Sequence, residues 1–420
     1  MDVFQVRGGI PLEGEVRVCG AKNAALPILA ATTMVRGVTR IDDVPDLEDV
    51  RVMLEILRRL GAKAEFVSAG LVEVDATDIS STNVPDELMQ KMRSSIFLMG
   101  PLLARFGEVR VSKPGGCVIG QRPIDYHLRG MRELGASIEE RHGYIRCFAH
   151  RLVGTELTLD FPSVGATENL MMAAVLADGE TVIENAAREP EIVDLARFLQ
   201  SCGAVVTGAG EHRMVIHGVH HLSGASHRVI PDRIVAGTLL LAAAVTRGSV
   251  VLRNVEPLHL MAVLGKMRES GLHLRVLRDI IACEMSDEFS AVDIRTEPFP
   301  GFPTDLQAPF MSLSALAKGT SVFRENVFEA RYKHVDELVR MGADISVDLR
   351  TAVVRGVSKM SGATVCATDL RGGAALVVAA LAAEGLTELR GLQHIDRGYE
   401  FLDRQLSMLG ADVIRTQVSR

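Results

Sequence analysis

Two kinds of apolar segment alternate along the chain. Residues 49–60, 193–201 and 335–341 mix apolar and charged positions at helical spacing and stop at a glycine, which predicts amphipathic helices with a glycine C-cap. Residues 26–35, 170–176, 238–245 and 374–383 are apolar nearly all round, so those helices must be covered on every side. Between them run short alternating stretches, such as residues 15–18, 156–159 and 292–295, that predict strands with one face on a core and the other in water. Buried helices with half-wet sheets predict an α/β fold of inverted layout: an inside-out barrel, helices in the core and sheets as its wall.

The pattern repeats. Leu-Gly-Ala or a near variant closes an amphipathic stretch at Gly61, Gly135, Gly203, Gly271, Gly342 and Gly410, at intervals of 74, 68, 68, 71 and 68 residues. A second glycine closes each apolar helix at Gly37, Gly107, Gly179, Gly248, Gly319 and Gly385. Two markers with one period of about 70 predict six repeats. The last repeat stops soon after Gly410, and residues 3–19 carry a strand, turn and strand that would complete it. The expected domains are therefore residues 21–229, and residues 1–20 with 230–420, three repeats each.

Composition narrows the class. Of 420 residues, 47% are apolar and 24% charged, as in a folded globular chain. The net charge of −7, without basic blocks and without tryptophan, argues against a nucleic-acid footprint. The six cysteines, Cys19, Cys117, Cys147, Cys202, Cys283 and Cys366, show no paired metal or redox spacing, the usage of a reducing compartment. No signal-like start and no apolar run of about 18 residues is present, so the reading is cytoplasmic, with no membrane partner.

Each apolar helix begins at a short polar turn: Lys22-Asn23, Lys91-Met92-Arg93, residues 163–167, Asp232-Arg233, Thr304-Asp305 and residues 369–372. Free amide donors at such helix starts suit phosphates and carboxylates. Capping accounts for Asp, Asn and Thr there, but not for Lys22, Arg93 and Arg371. In the second repeat the two glycine markers stand 28 residues apart, against 23 to 25 elsewhere. The surplus is Lys113-Pro114-Gly115-Gly116-Cys117-Val118-Ile119-Gly120-Gln121-Arg122-Pro123, read as a mobile lid whose cations favour a reactive thiolate at Cys117. The other five cysteines read as small core residues.

These residues carry a resemblance. Lys22-Asn23, the Pro-Gly-Gly-Cys loop followed by Arg122-Pro123, Phe302-Pro303-Thr304-Asp305, Asn326-Val327-Phe328-Glu329 with Arg331, Thr368-Asp369-Leu370-Arg371 and His394-Ile395-Asp396-Arg397-Gly398-Tyr399 are similar to the UDP-N-acetylglucosamine enolpyruvyl transferases over essentially the whole chain. The resemblance implies an inside-out α/β barrel of two similar domains, an active site between them, and phosphoenolpyruvate and UDP-N-acetylglucosamine as substrates. It implies that Lys22, Arg122 and Arg397 hold the phosphoenolpyruvate phosphate, with Arg371 near the carboxylate. Asn23, Arg93, Asp305, Val327 and Arg331 would face the sugar or reacting centre. Arg122, Pro123, Ile124, Asp125, Tyr126 and His127, with Ser163, Val164 and Gly165, would hold the uridine diphosphate. In this scheme Cys117 supplies a proton to the enol carbon, Asp305 takes or steers the proton of the sugar hydroxyl, and the cations offset phosphate. No metal and no cofactor is required.

Three other readings compete. His212, His217, His220, His221 and His227 lie close in sequence, but no pair has the acidic company of a catalytic zinc site. The sister transferase acting on shikimate 3-phosphate shares the chemistry but lacks the cysteine loop. A non-catalytic nucleotide-sugar sensor would not need Lys22, Cys117, Asp305 and Arg397 together.

Overall fold

The computed structural model describes residues 2–113, 124–285 and 289–417. They form two compact units, one of residues 20–113 and 124–230, the other of residues 2–19 and 231–417.

In the first unit, strands of one sheet run Ser226–Arg228, Val38–Asp42, Leu71–Asp75, Lys63–Ser68, and of another Glu156–Thr158, Glu180–Glu184, Arg213–His217, Val205–Thr207. A third holds Glu108–Ser112, Tyr144–Phe148 and Ser137–Arg141, with a parallel bridge from Asn83 to Arg110 at its edge. In the two four-stranded sheets the first pair is parallel and the rest antiparallel; in the third both strand pairs are antiparallel and only the bridge is parallel. The second unit has sheets of the same order, for example Ile294–Arg295, Thr320–Arg324, Thr351–Arg355, Asp344–Asp348. In Thr320–Arg324, Ser321 and Phe323 are buried and their neighbours exposed, the alternation that fixes which face meets the core.

The apolar helices are buried. Every residue from Ile234 to Val245 of helix Arg233–Val245 is covered, as is nearly all of helix Leu370–Ala382. Each fully covered Leu contributes about 1.5–3 kcal/mol. Within the second unit these two helices pack on each other and on helix Gln307–Ser314. Gly237 permits the approach of the chain before that third helix, since a Cβ on it would stand 2.4 Å from Leu306 Cδ1. Helices Lys22–Ala31, Met99–Phe106 and Val164–Val175 play the same part in the first unit.

Three sequence expectations change. The apolar helices start earlier than their apolar runs, because polar first turns such as Val164 to Thr167 are already helical. Residues 3–19 are not one hairpin in one sheet. Strand Asp2–Arg7 pairs with Leu386–Arg390 and Asp412–Gln417, whereas Glu13–Arg17 pairs with Ser249–Arg253 in another sheet. The last repeat thus keeps a strand after Gly410. Among the other five cysteines, Cys147, Cys202 and Cys283 are core residues, but Cys19 is half-buried and Cys366 exposed, each near the end of a strand where the sheet no longer covers it.

Candidate functional site

In the unit of residues 2–19 and 231–417, the three buried helices bring their first turns together. Asp232 caps helix Arg233–Val245 by accepting from the Ile234 and Val235 amides at 2.8 and 3.0 Å. Asp369 caps Leu370–Ala382 through the Arg371 and Gly372 amides. Asp305 lies in the 3-10 turn Thr304–Leu306 that leads into Gln307–Ser314. Its Oδ2 accepts from Arg371 Nε at 3.0 Å and Nη2 at 2.8 Å, and its Oδ1 accepts from Arg331 Nη2.

Both arginine side chains are about 5% exposed, so one carboxylate serves two desolvated guanidiniums. Burial alone would lower the Arg371 pKa, but Asp305, with Tyr399 and Asp232 beyond it, holds the guanidinium above its ordinary value. Tyr399 lies under Arg371, ring centroid 5.4 Å away, and shares a 3.0 Å hydrogen bond with Thr238. Burial raises the Tyr399 pKa, and the phenol stays neutral. Gly398 lets this segment press on the helix head: a Cβ there would meet Leu370 Cδ2 at 2.6 Å. Arg397, in the same segment, is half-buried.

The loop carrying Val327 is built on Glu325. This fully buried carboxylate accepts from the Thr296 and Thr304 hydroxyls, each at 2.9 Å, and from the Val327 and Phe328 amides at 2.9 and 3.0 Å. His334, wholly buried beside Gly372, makes no hydrogen bond through either ring nitrogen among the described residues. Burial pushes its pKa down to about 4, partly countered by Asp369, so the ring is neutral.

In the unit of residues 20–113 and 124–230, Lys22 is the first residue of its helix. Its Nζ stands 3.2 Å from Asp49 Oδ2, and both groups are buried. Ala21, the N-cap, offers no side chain to the first amides, and Asn23 follows it exposed. Arg93 begins the 3-10 turn Arg93–Leu98 ahead of helix Met99–Phe106. Ser163 caps helix Val164–Val175, accepting from the Ala166 amide at 3.4 Å.

His127 turns inward from helix Asp125–Glu133, and its Nδ1 lies 3.0 Å from Asn169 Nδ2. Asn169 Oδ1 accepts from the Gly100 amide at 2.6 Å and its Nδ2 donates to the Ile96 carbonyl at 2.8 Å, which fixes the amide orientation. Nδ1 of His127 is then the acceptor, and the ring proton sits on Nε2, on the side of Gly165. Ile124 precedes the helix, while Asp125 and Tyr126 face outward into a hollow of about 480 Å³ shared with Arg129.

Cys117, Arg122 and Pro123 lie outside the described residues. Of the sequence-chosen residues, the structure brings together Asp305, Arg331 and Arg371 in one unit, and His127 with Gly165 in the other. Sequence reasoning missed Asp49, Asn169, Glu325, Tyr399 and His334 as the partners and packing of that set. One signal was legible: Glu168 is a charge on an otherwise apolar helix. Glu168 is 1% exposed, both its carboxyl oxygens lack a partner among the described residues, and burial, then Glu191 and Glu189, raise its pKa well above the ordinary value. Among the described residues no group of histidine, cysteine and carboxylate side chains could hold a metal ion.

The sequence pattern of the EPSP synthase (3-phosphoshikimate 1-carboxyvinyltransferase) family matches residues 6–406. A UDP-N-acetylglucosamine 1-carboxyvinyltransferase 2 of Caldanaerobacter subterraneus subsp. tengcongensis is 53% identical, over 99% of this chain and 100% of that protein. A UDP-N-acetylglucosamine 1-carboxyvinyltransferase of Dichelobacter nodosus is 51% identical over 99% and 100%. Among solved structures, the enolpyruvyl transferase NikO from Streptomyces tendae superposes with a TM-score of 0.90 at 26% identity, covering 100% of this chain and 99% of that one. An EPSP synthase from Acinetobacter baumannii does so at 0.75 and 17%, covering 99% and 100%, a likeness of fold alone.

Proposed function

The chain belongs to the EPSP synthase family of 1-carboxyvinyltransferases, and on that footing we infer its reaction: the enolpyruvyl group of phosphoenolpyruvate passes to the 3-hydroxyl of UDP-N-acetylglucosamine, and inorganic phosphate leaves. The carrying observation is that relatives half identical over their whole length bear the nucleotide-sugar transferase's name. The product begins peptidoglycan precursor synthesis.

The roles of individual residues follow from the chemistry. Addition needs a proton delivered to the methylene carbon, assigned to Cys117, while the sugar 3-hydroxyl oxygen bonds to the neighbouring carbon and loses its own proton toward Asp305. Elimination then breaks the bond to phosphate and returns a proton from the methyl group. Lys22, Arg122 and Arg397 offset the phosphate charge, and Arg371 the carboxylate. Asn23, Arg93, Val327 and Arg331 line the sugar or reacting centre. Arg122 to His127 and Ser163 to Gly165 take the uridine diphosphate, where the Nε2 proton of His127 is a donor suited to an anionic oxygen. The scheme uses no cofactor and no metal.

The same reading treats the fold as six repeats in an inside-out α/β barrel, three per domain. The shared strand order of the sheets and positive φ at all six marker glycines, Gly61 (109°) to Gly410 (91°), support it. A cytoplasmic workplace fits the cysteine usage, and among the described residues no helix is long and apolar enough to cross a membrane. Phosphate release from phosphoenolpyruvate is the test. It should require UDP-N-acetylglucosamine, and equal or faster release with shikimate 3-phosphate would overturn the assignment.

A further inference from the structure

We propose that a cavity of about 760 Å³ at the C-terminal ends of the buried helices in the unit of residues 20–113 and 124–230 is an anion site, separate from the transferase residues and fitted to a phosphate-bearing molecule of nucleotide size. Three helices end there. Met34 follows Lys22–Ala31, Leu103 and Phe106 lie in the last turns of Met99–Phe106, and Leu176 caps Val164–Val175; Met34 and Leu103 are buried, so the apolar part of the floor is Phe106 and Leu176. Lys22, Asn23, Arg93 and Ser163 to Gly165, assigned above to catalysis and sugar binding, sit at the opposite, N-terminal ends of the same helices or just before them.

Cations at helix C-termini are expected on dipole grounds alone, and Arg105 fills that role. Its Nη1 donates to the carbonyls of Thr33, Val35 and Ala76 at 2.7, 3.3 and 2.9 Å. The surplus lies around it. Arg36, His150, His220 and His221 line the cavity, are exposed, and make no hydrogen bond or ion pair among the described residues. The two acids of the lining are already engaged, Glu108 by Arg146 at 2.8 Å and Asp178 by Arg151. No carboxylate of the described lining is left to separate Arg36 from Arg105, and Arg36 adds to burial in pulling the Arg105 pKa below its ordinary value. Arg36 is thus a guanidinium without a carboxylate among the described residues, near a second cation whose donors are spent on three carbonyls, and a bound anion would give it a partner. The volume lies in the range of small-molecule sites, roughly 300–1,000 Å³. The apolar floor suits a base or other flat group beside the phosphates.

Calorimetric titration of ADP and of inorganic pyrophosphate into the whole protein, with UDP-N-acetylglucosamine saturating, tests this. One ADP should bind per chain. Arg36→Ser and the double variant His220→Ser/His221→Ser should each weaken it about tenfold or more, one charge-assisted contact being worth at least 1.4 kcal/mol. Arg36→Lys should recover part of the affinity, and turnover without ADP should be unchanged in every variant, which also shows that each folds. Pyrophosphate should bind the same site more weakly, for want of the floor contact. Affinity weaker than about 1 mM, or equal in wild type and variants, would overturn the proposal.

Discussion

Arg371 binds Asp305 through two nitrogens, Nε at 3.0 Å and Nη2 at 2.8 Å, both on Oδ2, while Arg331 takes Oδ1. Removing the carboxylate would strand two buried positive charges, which costs far more than the net worth of the pairs. A substitution at Asp305 therefore tests its proposed chemical role and its structural one together.

Asp305→Ala should lower unfolding stability by about 3 kcal/mol and turnover by about 100-fold or more, with nucleotide-sugar binding retained. Urea denaturation and phosphate release measure the two separately. Near-normal turnover in a destabilised protein would leave Asp305 a structural anchor only.

His334 sets an acid limit on stability. Its folded pKa, about 4, lies below the ordinary 6.5, so the unfolded chain binds the extra proton between those values. The contribution is complete above about pH 6.5 and falls as pH drops toward about 4, by at most about 3 kcal/mol, with no further loss below. His334→Gln cannot titrate, so the difference between wild type and variant in urea midpoint should change across that window and be flat elsewhere.

Glu168 should act in the opposite sense. Its folded pKa is raised, so the contribution of the neutral carboxyl is complete below the unfolded value near 4.5 and is lost as pH rises toward the folded one. Glu168→Gln removes the ionisable group from beside Glu191 and Glu189. The variant should gain urea resistance over wild type at mildly alkaline pH and show little gain at about pH 4.5. A gain independent of pH would mean that the carboxyl is not the titrating group.

The small epoxide phosphonate fosfomycin resembles phosphoenolpyruvate and should alkylate Cys117, faster with UDP-N-acetylglucosamine present. Cys117→Asp can still deliver a proton but is a poorer nucleophile, so it should keep measurable turnover and escape inactivation. Cys117→Ala should lose both. Intact mass and peptide mapping locate the label, and labelling of the exposed Cys366 instead would remove the thiol of Cys117 from the chemistry.

Local pattern carried much of this protein. Apolar runs announce the buried helices, alternation announces the strands, and the spaced glycines, Gly248 apart, mark helix ends where φ is positive, because these are properties of a few consecutive residues. The residues proposed for the chemistry also stand out in the sequence, since capping does not account for Lys22, Arg93 and Arg371 at the starts of apolar helices. Tertiary structure alone decided their partners. Lys22 and Asp49 are 27 residues apart, His127 and Asn169 42, and Asp305 and Arg371 66. No local periodicity encodes contacts at those separations. They exist because helices packed side by side bring together residues distant in sequence, where desolvation makes charged groups find a partner or change their protonation. The same packing sent strand Glu13–Arg17 to a different sheet from Asp2–Arg7, since edge strands pair where a neighbouring sheet leaves hydrogen bonds open, and the strand's own sequence does not say where that is.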